Sequence, residues 1–192
     1  SPFTERENGR FLEEEANVFL PELLQKEGIE KPVLVGHSDG ATIALLFEAH
    51  FQQAAAIVNL AGHIRNEEKT RQGIRQQAAV LAGPDMRKKL RRHHGPKAEQ
   101  LVADWVRIWT ASGFNNWDIS ELLPRIHCPV LVVQGEEDEY ATPEHFRDMA
   151  ELPAGPSTGA LLPKTGHFPH LEKTKETINL IHHFLNHNHL LP

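Results

Sequence analysis

Cysteine is nearly absent. Cys128 is the only one in 192 residues, so no intrachain disulfide framework can hold the chain together. It precedes Pro129 at the edge of an apolar run and reads as a buried structural thiol. Long hydrophobic runs are missing as well: none approaches the roughly 20 residues of a membrane span. No signal-peptide pattern opens the chain. A surplus of positive charge is also lacking. The formal net charge is -6, which gives no reason to expect a nucleic-acid partner. There is no H-E-x-x-H, so a zinc hydrolase has no motif to stand on. These absences leave a soluble, cytoplasmic protein with a small-molecule partner as the expectation, with no membrane and no nucleic acid involved. The chain opens on Ser1 rather than methionine, so a native N-terminus is expected to lie upstream.

What is present alternates between two patterns. After a polar, irregular stretch over residues 1–10, a helix is expected from Phe11 to Glu27. It carries Leu12, Ala16, Phe19, Leu20, Leu23 and Leu24 on one face, has Pro21 as a kink or division, and stops at Gly28. Pro32-Val33-Leu34-Val35-Gly36 has no polar alternation and reads as a parallel strand buried on both faces. Helical periodicity returns over residues 39–50. Further buried strands are expected over 54–60, 129–134 and 159–162. Thr142-Pro143 is a helix start, and a last helix over 173–185 turns Ile178, Ile181 and Leu185 inward. Strands alternating with helices imply a doubly wound α/β fold. Residues 1–65 and 127–192 form its core. Residues 66–126 interrupt the alternation as a helical cap insert over the sheet edge, where such folds place their sites.

Gly36-His37-Ser38-Asp39-Gly40 matches G-x-S-x-G between a strand and a helix. That turn is sharp and strained. Side chains two residues either side of Ser38 are expected to collide, so both positions are glycine. The turn lifts the Ser38 hydroxyl clear of the sheet and aims the Asp39 backbone N–H at a developing oxyanion. A serine hydroxyl needs a base, and the base needs an orienting acid. With such a turn the acid follows a later strand and histidine comes last. Strand 129–134 runs into Gly135-Glu136-Glu137-Asp138-Glu139, and strand 159–162 into Pro163-Lys164-Thr165-Gly166-His167.

These three ordered stretches, the last continuing Phe168-Pro169-His170-Leu171-Glu172, resemble the α/β-hydrolase superfamily. The resemblance is nearer to its capped esterase and C–C hydrolase branch, and it covers essentially the whole chain. It implies an α/β-hydrolase fold, a mostly parallel sheet with flanking helices and a cap, and no cofactor or metal. By the family's spacing the acid falls on Asp138, with Glu137 as rival. The base falls on His167, with His170 as alternative. Members usually carry several strands before the nucleophile strand, and a loop there supplies a second oxyanion N–H. Only 31 residues precede Pro32, so the resemblance implies that the N-terminal strands are absent from this chain. The missing segment would supply the second donor, if need be as a separate chain, and its loss would expose a sheet edge.

The implied activity is hydrolysis of an ester, thioester or related carbonyl compound through Ser38, His167 and Asp138. The competing expectation is a non-catalytic hydrolase-fold protein that binds a ligand or partner. In the insert, Trp105, Trp109 and Trp117 either line a substrate pocket or pack the cap onto the domain. Arg87, Lys88, Lys89, Arg91 and Arg92, with His93 and His94, form a basic patch that reads as a solvated helix face, the alternative being a surface that steers an anionic substrate. His183 and His187 lie four apart without the Cys or carboxylate that would complete a ligand set.

Overall fold

The four apolar runs form one parallel sheet in a computed structural model that describes residues 10–191. The polar start of the chain, through residue 9, lies outside the described residues. Strand β1 (Val33–His37) pairs with β2 (Ala56–Leu60), β2 with β3 (Val130–Gly135), and β3 with β4 (Ser157–Leu162). The register aligns Val33 with Ala56, Ile57 with Val130 and Val130 with Ser157. Parallel neighbours need crossovers, and helices provide them. Helix α1 (Phe11–Glu14), a π turn (Glu15–Phe19) and α2 (Leu20–Glu27) precede the sheet. Helix α3 (Asp39–Phe51) joins β1 to β2. Helices α4 (Glu68–Leu81), α5 (Pro84–His94) and α6 (Ala98–Trp109) lie between β2 and β3, and α7 (Pro143–Glu151) between β3 and β4. Helices α8 (Pro169–Glu172) and α9 (Thr174–His187) close the described chain.

Alternation along the central strands splits the core into two layers. Ile57, Val130 and Val132 face α3 and the first helices, while Val58, Leu131 and Val133 face Phe184 of α9. Both faces of β2 and β3 are therefore covered, which is why these strands carry unbroken apolar runs. The same run in β1 has a different fate. Val35 is 59% exposed, because β1 lies at the sheet edge and α9 packs against β3. The expectation of a strand buried on both faces fails there, and the edge is open among the described residues. Strand β4, at the other edge, is also largely exposed and does not begin at residue 159 but at Ser157.

Two helix faces differ from the expected ones. Across the π turn the buried side runs Leu12, Ala16, Leu24, with Leu20 half-buried, while Phe19 and Leu23 point to solvent. Steps of four residues stay aligned when one turn widens from an i→i+4 to an i→i+5 bond. Pro21 has no N–H for the preceding turn, so the local ladder is already interrupted there. Gly28 ends α2 at φ 67°, the left-handed cap that glycine takes without penalty. In α9 the inward residues are Thr177, Ile181, Phe184 and Leu185, so Ile181 and Leu185 face in as expected while Ile178 is exposed one step round the helix. Cys128 is buried as expected, and burial with the nearby Glu48 carboxylate pushes its thiol pKa up to about 12.

The insert leaves and rejoins the core at one point. Asn66 N–H donates to Trp117 O and Ile119 N–H to Ile64 O, beside an antiparallel bridge between Arg65 and Asp118. Between those contacts α4, α5 and α6 pack chiefly on one another.

Candidate active site

Ser38 sits between β1 and α3 at φ 54° and ψ -123°, a conformation non-glycine residues rarely adopt. The elbow requires glycine on one side only. A Cβ on Gly36 would lie 2.3 Å from Gly40 O, whereas a Cβ on Gly40 would meet nothing within 4 Å. The expected two-sided collision is thus a contact of Gly36 with the backbone of residue 40. Gly36→Ala is expected to destabilise the protein by about 3 kcal/mol. Gly40→Ala is expected to change stability by less than about 1 kcal/mol. Urea unfolding of the two variants checks the pair.

Each remaining group arrives from the C-terminal end of its own strand. The turn after β3 buries Asp138 to 1% exposure and leaves Glu137 exposed. Asp138 Oδ1 accepts the Tyr140 N–H at 2.8 Å, and Oδ2 accepts from Gln134 Nε2. Oδ2 also lies 2.9 Å from His167 Nδ1, and His167 Nε2 lies 3.0 Å from Ser38 Oγ. The structure therefore brings Ser38, His167 and Asp138 into one hydrogen-bonded line. Glu137 and His170 stand outside it. The His170 ring packs on His37 instead, at 4.6 Å.

Close packing of turns fixes that line. A Cβ on Gly135 would fall 2.1 Å from Thr165 O, so the acid turn and the histidine turn touch backbone to backbone. Glu172 brackets His167, its carboxylate accepting from Gly166 N at 2.8 Å and Phe168 N at 3.0 Å. His37 Nε2 donates to His167 O at 2.8 Å. Burial lowers the His37 pKa, against the pull of that hydrogen bond.

Beyond the line opens a groove of about 340 Å³, walled by Ser38, Asp39, His63, Trp105, Trp109 and residues of α4 and α5. Its size is typical of ligand pockets. Trp105 and Trp109 line it; Trp117 does not, lying behind Trp109 with its indole N–H donating to Glu13 Oε1. Asp39 contributes more than its N–H. Its carboxyl faces the groove, and burial pushes its pKa up to about 6. His63 was not expected here. It is 3% exposed, stacks on His167 at 5.7 Å, and its Nδ1 has no hydrogen-bond partner. Burial, followed by the neighbouring imidazoles, holds its pKa well below the usual histidine range. No motif surrounds it in sequence; it reaches the groove because its backbone exchanges hydrogen bonds with Thr42 Oγ1 of α3.

A second histidine pins the insert to the core. His145 of α7 is fully buried, accepts the Ile64 N–H at 2.9 Å, and lies 3.2 Å from Glu67 Oε2. Glu67 also accepts from Thr142 Oγ1 and N, at 2.9 and 3.1 Å. Burial alone would raise the Glu67 pKa. The His145 ring and Thr142 outweigh it and lower it from 4.5 to about 2. A depressed carboxylate stabilises the fold fully above its unfolded pKa, and that contribution is lost as pH falls through its folded pKa. Glu67→Gln is therefore expected to lower the unfolding midpoint at pH 7, with the gap from wild type closing between about pH 4.5 and 2. Urea unfolding at both ends of that window measures it.

A family model described as the alpha/beta hydrolase family matches residues 4–180. The chain belongs to that family. Among solved structures, it is similar to a thermophilic esterase from Thermogutta terrifontis, with 24% identity, a TM-score of 0.64, and 93% of this chain and 73% of that one covered. A membrane phospholipase A described as a bacterial virulence factor shares 19% identity at a TM-score of 0.74, over 94% of this chain and 64% of that one. Est816, an N-acyl homoserine lactone degrading enzyme, shares 21% at 0.64, over 96% and 78%. At these identities the likeness is one of fold. No curated protein matches the chain. Nothing in these matches points to a separate chain that would complete the fold. Among the described residues, no helix is long and apolar enough to cross a membrane.

Proposed function

We propose that this hydrolase-family chain cleaves a carboxylic ester, thioester or related carbonyl compound through a Ser38–His167–Asp138 triad. The observation that carries the reading is His167, within 3.0 Å of both Ser38 Oγ and Asp138 Oδ2, at the end of a groove. His167 takes the Ser38 proton as Oγ bonds to the carbonyl carbon. The leaving group departs with that proton, and an acyl-enzyme remains. Water then attacks through the same histidine, releasing the acid and restoring Ser38. Asp138 fixes the tautomer with Nδ1–H toward itself and stabilises the imidazolium. The Asp39 N–H, in the unpaired first turn of α3, donates to the oxyanion. Residues 66–126 were expected as the cap; the paired neck at 64–66 and 117–119 favours a cap that ends near residue 117, with Leu123 and Ile126 returned to the core.

Fluorophosphonate labelling followed by intact mass tests the proposal. One adduct is expected on the wild-type chain and none on Ser38→Ala. A folded wild-type chain that takes no adduct would count against an activated serine.

A further inference from the structure

The groove is continuous with the proposed nucleophile, Ser38 forming part of its wall. Five residues of α6 wall it at helical spacing: Ala98, Leu101, Val102, Trp105 and Trp109. All are apolar. Across from them stand Ile74, Gln77 and Leu81 of α4 and Leu90 and His94 of α5, so the facing wall is mixed while the α6 wall is apolar throughout. Trp109 is at the Ser38 end, beside His63 at 5.3 Å. Thr70 lines the groove too, but its hydroxyl is already donated to Tyr140 O at 2.6 Å. Helix α6 runs 12 residues from Ala98 to Trp109, so the wall extends for roughly 16 Å at 1.5 Å per residue.

We propose, on top of the acyl-transfer reading above, that the groove takes a straight, unbranched acyl chain of about a dozen carbons, laid along α6 from Ser38 to the gap between Leu90 and Ala98. An extended chain built from ~1.5 Å bonds advances about 1.3 Å per carbon, which fills that length. A compact aryl acid would leave the outer half of the wall unused. At the outer end the groove meets a second cavity of about 370 Å³, and Leu81, Leu90, Ala98 and Val102 border both. That second cavity is itself mostly apolar, lined also by Ala78, Ala82, Ala103 and Val106, with Arg87, Glu99 and Arg107 among its walls, so the dozen-carbon length is that of the groove itself and not an upper limit.

The test compares p-nitrophenyl acetate, octanoate and dodecanoate. Wild-type kcat/KM is expected to rise at least about 100-fold from acetate to dodecanoate, as buried methylenes accumulate. Val102→Phe narrows the groove where it meets the second cavity and is expected to lower the dodecanoate-to-acetate ratio of kcat/KM tenfold or more. Leu90→Phe, on a helix with no buried residue, should act the same way without threatening the fold. A parallel titration of Ser38→Ala with dodecanol, followed by tryptophan fluorescence, reads the groove without chemistry. Binding that Val102→Phe weakens supports the proposal even if no ester is turned over, in which case the acyl-transfer reading alone falls. Equal kcat/KM at all chain lengths, or no dodecanol binding to a folded protein, overturns it.

Discussion

Replacing Ser38 by alanine is expected to lower kcat by about a million-fold on whichever ester the protein turns over best. The size follows from the role assigned to it. Without Oγ, His167 has no proton to take and no acyl-enzyme can form; what remains is binding and the Asp39 N–H. Such residues act as a unit, so the double variant Ser38→Ala/His167→Ala should be no slower than the single one within about threefold. KM should change little, because the groove walls are untouched. The fold should also survive. Alanine meets the same steric demand at φ 54° as serine, and the lost hydrogen bond is one partly buried contact. Urea midpoints within about 1 kcal/mol of wild type, beside a collapse in kcat, would match this expectation. If Ser38→Ala kept a tenth of the activity, the nucleophile would have to be sought elsewhere in the groove.

The elbow was legible because three levels agree on it: a strand, a glycine-flanked serine and a largely apolar helix. Strand order and helix order were legible for the same reason, since each apolar run is short and bounded. Exposure was less legible. The Val33–Val35 run is as apolar as 131–133, and nothing in it distinguishes an edge strand from a central one; neighbours decide that. The register of the first helix was misread because a π turn has no residue signature, yet it rotates every later side chain. Spacing placed the acid on Asp138 but kept Glu137 as a rival, because a one-residue shift in a tight turn exchanges a buried side chain for an exposed one. Trp117 shares its chemistry with Trp105 and Trp109 and differs only in which side of Trp109 it occupies. His63 gave no signal, since its place depends on Thr42, 21 residues away.

Asp138→Asn is the second large effect, with an expected fall in kcat of about 10,000-fold. Three donors surround the carboxylate: Tyr140 N–H at Oδ1, and Gln134 Nε2 with His167 Nδ1–H at Oδ2. An asparagine can offer an acceptor to only one side. Keeping the Tyr140 bond turns its NH2 toward Gln134 and His167. Gln134 can answer by exchanging its amide ends, because its Oε1 is buried without a hydrogen-bond partner. The strain then falls on His167. Facing a donor, Nδ1 must become the acceptor, which moves the ring proton to Nε2, the atom that has to receive the proton of Ser38. The variant is thus expected to fold, losing no more than about 1–3 kcal/mol, while holding its base in the wrong tautomer. Nitrogen NMR of the imidazole should show protonated Nε2 in the variant and protonated Nδ1 in wild type. Glu137→Gln, at an exposed site, should leave kcat within about threefold. If Glu137→Gln were the damaging change and Asp138→Asn the silent one, the acid would be wrongly assigned, and the hydrogen bonds around Asp138 would be holding a turn rather than orienting a base.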